Sequence, residues 1–501
     1  MSNNQNSPQT TWKSQAGFVW SLMGSAVGFA NILSFSAQVY KNGGGAFLIP
    51  YCLALFVLGI PLLILEGMIG YKMKSPLVTA YGKMWGKIGK TVGWLAVLAC
   101  LSIGGFYIVL TGYSVAYTYF SAINAIPADS KGFFVNAFLK TTSSLADYGQ
   151  ISIPIFAATI GVAVVTWLVL VRNVRDGIEK VCSIFMPLLA LIMTVFAIIV
   201  TFLPGGLDGW IHYLKPDFSK LFDPNLWRDV FGQLFFSLSL GLGIIVGYSR
   251  HTGNATNIPR AMMYVALGDF AVSFVSGAAI FGCLAHISYV QQIPFESILT
   301  TDSTFEIGFV VFPQLFKFFG PAIGQLIGVI FFFCIFIAGI TGVFSIVESI
   351  AGNVEIEFET TRKRAVTVTI IALVCLASLF CMGNASHLID ALAPMVIGTN
   401  MLIGGLALIL AFAYGRSNRE ENLIGQMNKP SPYRFCLRYI APVLLGIILI
   451  GNISQEFQTF DLAKAVRWSW LILALLAAWM LTQIASKQAK YPLLQSKSSS
   501  I

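Results

Sequence analysis

Two short stretches put small and hydroxyl residues into the middle of otherwise apolar runs. The first reads Gly24-Ser25-Ala26-Val27-Gly28-Phe29-Ala30-Asn31, the second Phe236-Ser237-Leu238-Ser239-Leu240-Gly241-Leu242-Gly243. Gly and Ser are poor helix formers, so each stretch is expected to interrupt a helix. An interrupted helix in an apolar medium frees carbonyl oxygens that coordinate cations and N–H groups that hold anions. Asp269 is ionisable and lies inside an apolar run, which makes it a functional candidate; pairing with a Lys, or a place at a helix end, is its bland alternative. Gly24 and Gly28 also fit the GxxxG spacing of closely packed helices. Gly241, Gly243 and Gly247 resemble a dinucleotide loop only faintly, no strand precedes them, and that reading is rejected. The histidines, His212, His251, His286 and His387, are scattered with no Ser-His-Asp or metal constellation, so the chain is not read as an enzyme.

The elements that carry these stretches are set by composition. The 501 residues are 56% apolar and 11% charged, with a mean hydropathy of +0.77. Soluble domains have about a quarter charged residues, so one membrane-embedded unit is expected rather than several soluble domains. Twelve apolar segments can be read, among them the first at 17–40, the third at 92–123, the sixth at 227–249, the seventh at 260–290, the eighth at 320–350 and the tenth at 388–414. Backbone groups in lipid need internal partners, and barrel-type alternation is absent, so the fold class is all-α with twelve transmembrane helices. The net charge of +9 is spread over short connections and gives no nucleic-acid face. Lys72, Lys74, Lys83, Lys87 and Lys90 follow the second segment; Arg416, Arg419, Lys429, Arg434 and Arg438 follow the tenth. The positive-inside bias therefore puts both termini in the cytoplasm. The connections on the other side, 124–152, 204–226 and 291–319, mix charges or lean acidic. The last holds Pro294, Asp302, Phe305 and Phe316, and is expected to fold short helices over the mouth. No cleavage signature precedes the first segment, so that segment is expected to be retained. The eight cysteines lie in or beside apolar segments, and no structural disulfide is expected.

The two interrupted helices are the first and the sixth, matching places in two five-helix halves. Paired breaks of that kind point to the central site of a transporter. At these residues the chain resembles the neurotransmitter:sodium symporter family, in its bacterial amino-acid branch. The resemblance runs from Trp12 to about the tenth segment. It rests on Gly24 to Tyr51, ending NGGGAFLIPY, on Gly59 to Glu66 (GIPLLILE), on Gln233 to Ser239 (QLFFSLS) and on Ser273 to Gly277 (SFVSG). It implies two inverted repeats, 12–203 and 227–414, followed by two further helices at 437–484, and sodium-coupled uptake of an amino acid by alternating access. The alternatives are a proton-coupled carrier on the same fold and a non-transporting membrane receptor for an amino acid.

The resemblance also implies roles for single residues. A first sodium ion would be held by the Ala26 carbonyl, Asn31, Ser237 and Asp269 together with the substrate carboxylate. Gly24, Val27 and Ala338 carbonyls with the Thr341 hydroxyl would hold a second, where Gly342 stands in place of the usual hydroxyl or carboxylate. Sodium stoichiometry is thus one or two. The family's chloride pocket would draw on Tyr51, Gln233, Ser237 and Ser273, but Asp269 replaces a neutral Asn, so chloride is expected not to be required. Gly28 replaces the Asp of monoamine carriers, which implies a substrate with its own carboxylate, bound by the Phe29 and Ala30 amides and Tyr107. Ser25, Ile103, Phe236, Ser239, Leu242 and Ile346 would line the side-chain pocket, with Ala26 and Ser237 beside it. That lining favours a neutral, apolar L-amino acid. At the outer gate Ser34 stands where the family has Arg and Ser36 where it has Pro, leaving Asp390 as the carboxylate. Gln9 is near the place of the N-terminal Arg. Glu66 is expected to accept hydrogen bonds from unwound backbone, and Tyr107 with Phe236 to close over the substrate. The expected setting is a plasma membrane, that of a bacterial inner membrane, with a lipid bilayer and a small molecule as partners; nothing points to a protein partner.

Overall fold

The computed structural model describes residues 11–172, 174–298, 307–414, 432–458 and 461–488. Asp302, Phe305, Arg416, Arg419, Lys429 and Gln9 lie outside them. Among the described residues the chain is helical, with a single isolated bridge between Gly44 and Pro216. Ten helices are long and apolar enough to cross a membrane. They are α3 (Gly45–Met73), α4 (Leu77–Ala122), α5 (Ile153–Leu170), α6 (Arg175–Thr201), α10 (Ile258–Gln291), α11 (Pro321–Glu357), α12 (Arg362–Cys381), α13 (Ala385–Ala413), α14 (Pro432–Glu456) and α15 (Leu462–Ser486). The first apolar segment is a bent pair, α1 (Gln15–Ala26) and α2 (Ala30–Lys41), turned by 61°. The sixth is α8 (Pro224–Ser237) and α9 (Ile244–Ser249), joined by non-helical residues 238–243. The bent pair makes an eleventh candidate span, and α8 with α9 holds the place of the twelfth expected of the fold.

Burial separates an inner from an outer ring. The most apolar stretches of α3, α4, α10, α11 and α13 are 67–78% buried inside the protein, against 17–33% for α5, α6, α14 and α15. The outer helices show Ile and Leu outward, as a surface facing hydrocarbon requires. The most extensive helix contact is between α4 and α11, and α10 packs on α1 and α3.

Three connections expected as loops contain helix. α4 begins fifteen residues before the predicted third segment, with Gly86 breaking it at φ 61°. Leu77, Val78, Ala80 and Tyr81 are buried there, while Lys83 and Lys87 face out. This is an amphipathic helix, whose mixed composition a hydropathy average cannot see. On the other side α7 (Gly206–Leu214) packs on α10, and residues 130–138 form a short helix. Short helices at Ile307–Val311 and Phe312–Phe316 match the expectation for the long outer connection.

Candidate functional site

Both predicted breaks occur, and each has a local cause. α1 ends where Val27 turns extended, at φ −74° and ψ 109°. In the second break Ser239, Gly241 and Gly243 all take positive φ. A Cβ on Gly241 would sit 2.4 Å from the Met401 carbonyl oxygen of α13, so only glycine lets the unwound chain touch that backbone. The Gly241 N–H thereby loses its helical partner and donates instead to Glu66 Oε1 at 2.8 Å. The second carboxylate oxygen, Oε2, is buried with no partner among the described residues.

Between the two breaks lies a buried polar cluster. Asn31, Ser237, Asp269 and Ser273 are each 0% exposed. Asn31 Oδ1 accepts from the Gly28 N–H at 2.8 Å, which turns its Nδ2 toward the others. That nitrogen meets Asp269 Oδ1 at 2.6 Å, Ser273 Oγ at 2.8 Å, Ser237 Oγ at 2.9 Å and the Asp269 carbonyl at 3.3 Å. An amide nitrogen has two hydrogens to give, so four oxygens compete for two donors. Ser237 also donates to the Asp269 carboxylate, 2.8 Å from Oδ2. No ion pair among the described residues includes Asp269, so the alternative of a Lys partner does not hold. The result is an oxygen-rich, anionic pocket in a medium where an unpaired charge is costly.

The residues expected around a second cation are arranged differently. Gly24 faces α11: a Cβ there would lie 3.3 Å from Thr341 Cβ and 2.8 Å from Cys182 Sγ. The Thr341 hydroxyl is turned back on its own helix, donating to Ile337 O at 2.9 Å, with Ala338 O at 3.2 Å. Gly342 does not point into open space. A Cβ there would meet the Tyr107 hydroxyl at 2.6 Å and ring carbons at 2.8 and 2.9 Å. Gly28 is equally tight, with the Tyr107 hydroxyl 2.2 Å from its virtual Cβ. Two glycines thus make the notch that receives Tyr107, whose ring stands edge-on to Phe29 at 5.0 Å.

Ten of the twelve expected substrate residues line one small cavity: Ser25, Ala26, Gly28, Ala30, Ile103, Tyr107, Phe236, Ser239, Leu242 and Ile346. Phe29 lines the space above it, and Ser237 belongs to the polar cluster beneath the break. Ile244, Gly342 and Ser345 complete the wall and were not anticipated. The cavity volume is about 30 Å³, room for roughly two waters, so a larger occupant requires its walls to part. The Ser25 hydroxyl is buried without a hydrogen-bond partner among the described residues, open to a ligand. Above it opens a vestibule of about 760 Å³, whose lining shares Tyr107 and Phe236 with the cavity. These two side chains are the partition between the spaces.

The groups expected in a chloride pocket are mostly engaged. Gln233 donates to the Ala30 carbonyl at 2.8 Å and accepts from Ser34 at 2.8 Å, while the Tyr51 hydroxyl is fully buried. Ser36 donates to the Ile32 carbonyl at 3.3 Å.

At the opposite end the passage is closed by contacts that sequence reading missed. Trp12 donates to Tyr248 O at 2.9 Å and packs edge-on to its ring. Glu348, 0% exposed at its side chain, faces Arg362 at 2.6 Å, Arg250 at 3.4 Å and His251 at 3.6 Å. The available signal was Glu348 itself, a carboxylate within an apolar helix.

The chain matches the sodium:neurotransmitter symporter family over residues 9–132 and 124–489. It is 32% identical to an uncharacterized sodium-dependent transporter of Methanocaldococcus jannaschii, over 89% of this chain and 90% of that one. A sodium-dependent nutrient amino acid transporter of Drosophila mojavensis is 26% identical, over 94% of this chain and 81% of its own length. Among solved structures, MhsT in complex with L-phenylalanine superposes with a TM-score of 0.76 at 26% identity, covering 88% of this chain and 99% of that one.

Proposed function

The chain belongs to the sodium:neurotransmitter symporter family, and from that membership we propose that it carries a neutral, apolar L-amino acid across the membrane together with sodium. The observation that carries this reading is Asp269: a fully buried carboxylate among surplus oxygens, with no cationic side chain among the described residues to balance it. A small hard cation takes oxygen ligands, and the substrate carboxylate would complete its shell, so that each raises the affinity of the other.

Substrate class follows from what Gly28 does not provide. With no acidic side chain there, a bare amine has no counter-ion, whereas an amino acid brings a carboxylate for the Phe29 and Ala30 amides and Tyr107. Ile103, Phe236, Leu242 and Ile346 offer no charge to a side chain. The L-phenylalanine bound by MhsT and the nutrient amino acids of the insect relative's name support the same class. We place the protein in a plasma membrane with both termini cytoplasmic, on the strength of the Lys-rich connection after α3. Residues 12–203 and 227–414 would be its inverted repeats.

Uptake into proteoliposomes tests this. With an inward sodium gradient, labelled Leu, Met or aromatic amino acids should accumulate ahead of Glu and Lys. Accumulation driven by a proton gradient alone would favour proton coupling at Asp269. Tight binding of a decarboxylated amine, with no affinity for amino acids, would overturn the substrate class.

A further inference from the structure

The vestibule has α8 on one wall and α13 on the other. Among the described residues four charged side chains line it: Arg228, Asp229, Asp390 and Glu456. Two are already paired within the outer wall. Asp229 meets Lys41 at 3.1 Å and Asn42 at 3.2 Å; Glu456 meets Arg467 at 2.7 Å. The other two are opposite in sign and without an ionic partner among the described residues. Arg228 donates to the neutral amide oxygen of Gln455 at 2.6 Å. The Asp390 carboxylate has no hydrogen bond there, and His387, one turn earlier, is held by the Thr142 carbonyl at 3.0 Å. α2 supplies no cation to this space: Ser34 is bonded to Gln233, and Lys41 is taken by Asp229.

While the vestibule is open, water solvates both charges and their attraction is weak. Once water leaves, either charge left alone is strongly unfavourable, and pairing the two removes that penalty. α8 is the element placed to move. It runs directly into residues 238–243, whose Ser239 and Leu242 line the small cavity, so an occupant of the cavity pulls on the helix that carries Arg228. Resting on the amino-acid reading above, we propose that Arg228 and Asp390 form the ion pair that closes the vestibule over bound amino acid and sodium.

The test is a charge exchange in full-length protein reconstituted in proteoliposomes, read as sodium-driven uptake of labelled L-phenylalanine, or of whichever amino acid ranks first in the panel. Arg228→Gln and Asp390→Asn should each slow uptake about tenfold or more, and the double variant Arg228→Asp/Asp390→Arg should recover to within about threefold of the unmodified protein. Both positions are exposed, so folding should survive, and membrane yield checks that. A second readout uses Arg228→Cys with Asp390→Cys, the exposed Cys375 being changed to Ser. Cross-linking by a short bifunctional thiol reagent should rise when sodium and the amino acid are added together. A double exchange no better than the single variants, uptake by Arg228→Gln at the unmodified rate, or a cross-link yield indifferent to ligands would overturn the ion pair. Absence of uptake by the unmodified protein speaks against the amino-acid reading instead.

Discussion

Around Asp269 the polar groups are assembled and mutually bonded, whereas around Thr341 they are few and already engaged elsewhere. Asn31 and Ser237 converge on the Asp269 carboxylate from two other helices, and Ser273, one turn further along the helix of Asp269, accepts from Asn31 and donates to the Asp269 backbone carbonyl. Among the described residues the Thr341 hydroxyl bonds only to carbonyls of its own helix, and the neighbouring residue, Gly342, is given over to seating Tyr107. In the reading proposed above, a cation and the substrate carboxylate would complete the first region. The second offers one neutral hydroxyl oxygen, whose hydrogen is donated to the Ile337 carbonyl and whose lone pairs remain for a cation. A preorganised anionic pocket and a sparse neutral one should differ in affinity, and in how each responds to loss of a group.

The largest effect is expected at Asp269. Leaving the cation without its buried counter-charge is worth about 3–5 kcal/mol, so Asp269→Asn should lower sodium-driven uptake by roughly a hundredfold or more. Retained uptake that has become dependent on chloride would show that an anion can stand in for the carboxylate. Replacing chloride by gluconate should leave the unmodified protein nearly unaffected, and strong chloride dependence there would remove Asp269 from this role.

An intermediate effect is expected at Gly342. Family resemblance makes Gly342→Ser a gain of one cation ligand, with a lower sodium requirement. The structure predicts the reverse, because the new Cβ lies 2.6 Å from the Tyr107 hydroxyl. Overpacking costs about 1–3 kcal/mol, so substrate half-saturation should rise roughly tenfold. A lower sodium requirement with unchanged substrate affinity would mean that Tyr107 moves aside freely.

The smallest effect belongs to Thr341→Ala. The lost hydroxyl contributes about 0.5–1.5 kcal/mol net, so the sodium concentration for half-maximal uptake should rise a few-fold. If neither this change nor Gly342→Ser alters the sodium dependence, a single sodium ion suffices.

Much of this was legible in the residues. Long apolar runs leave the backbone no partner but itself, so composition alone dictated membrane helices. Gly24 to Asn31 and Phe236 to Gly243 announced two interruptions, because Gly and Ser weaken a helix wherever they cluster. Asp269 stood out as a charge within an apolar run. The amphipathic start of α4 did not, since its buried Leu77 and Tyr81 alternate with lysines that cancel them in any average.

What the sequence could not decide is which side of each residue faces what. Gly342 read as a missing ligand because a glycine has no side chain to report a direction; folding turns its Cα toward Tyr107. Arg228 carried no signal of its own, and Asp390 read as a gate carboxylate without a partner, because the two line one space only once α8 and α13 stand across the vestibule. Arg250, His251 and Arg362 are likewise unremarkable until two segments bring them to Glu348. Local composition sets where a helix can form or break, through interactions within a few residues. Pairing of charges and the filling of notches depend on distances between segments, and those only the packed chain defines.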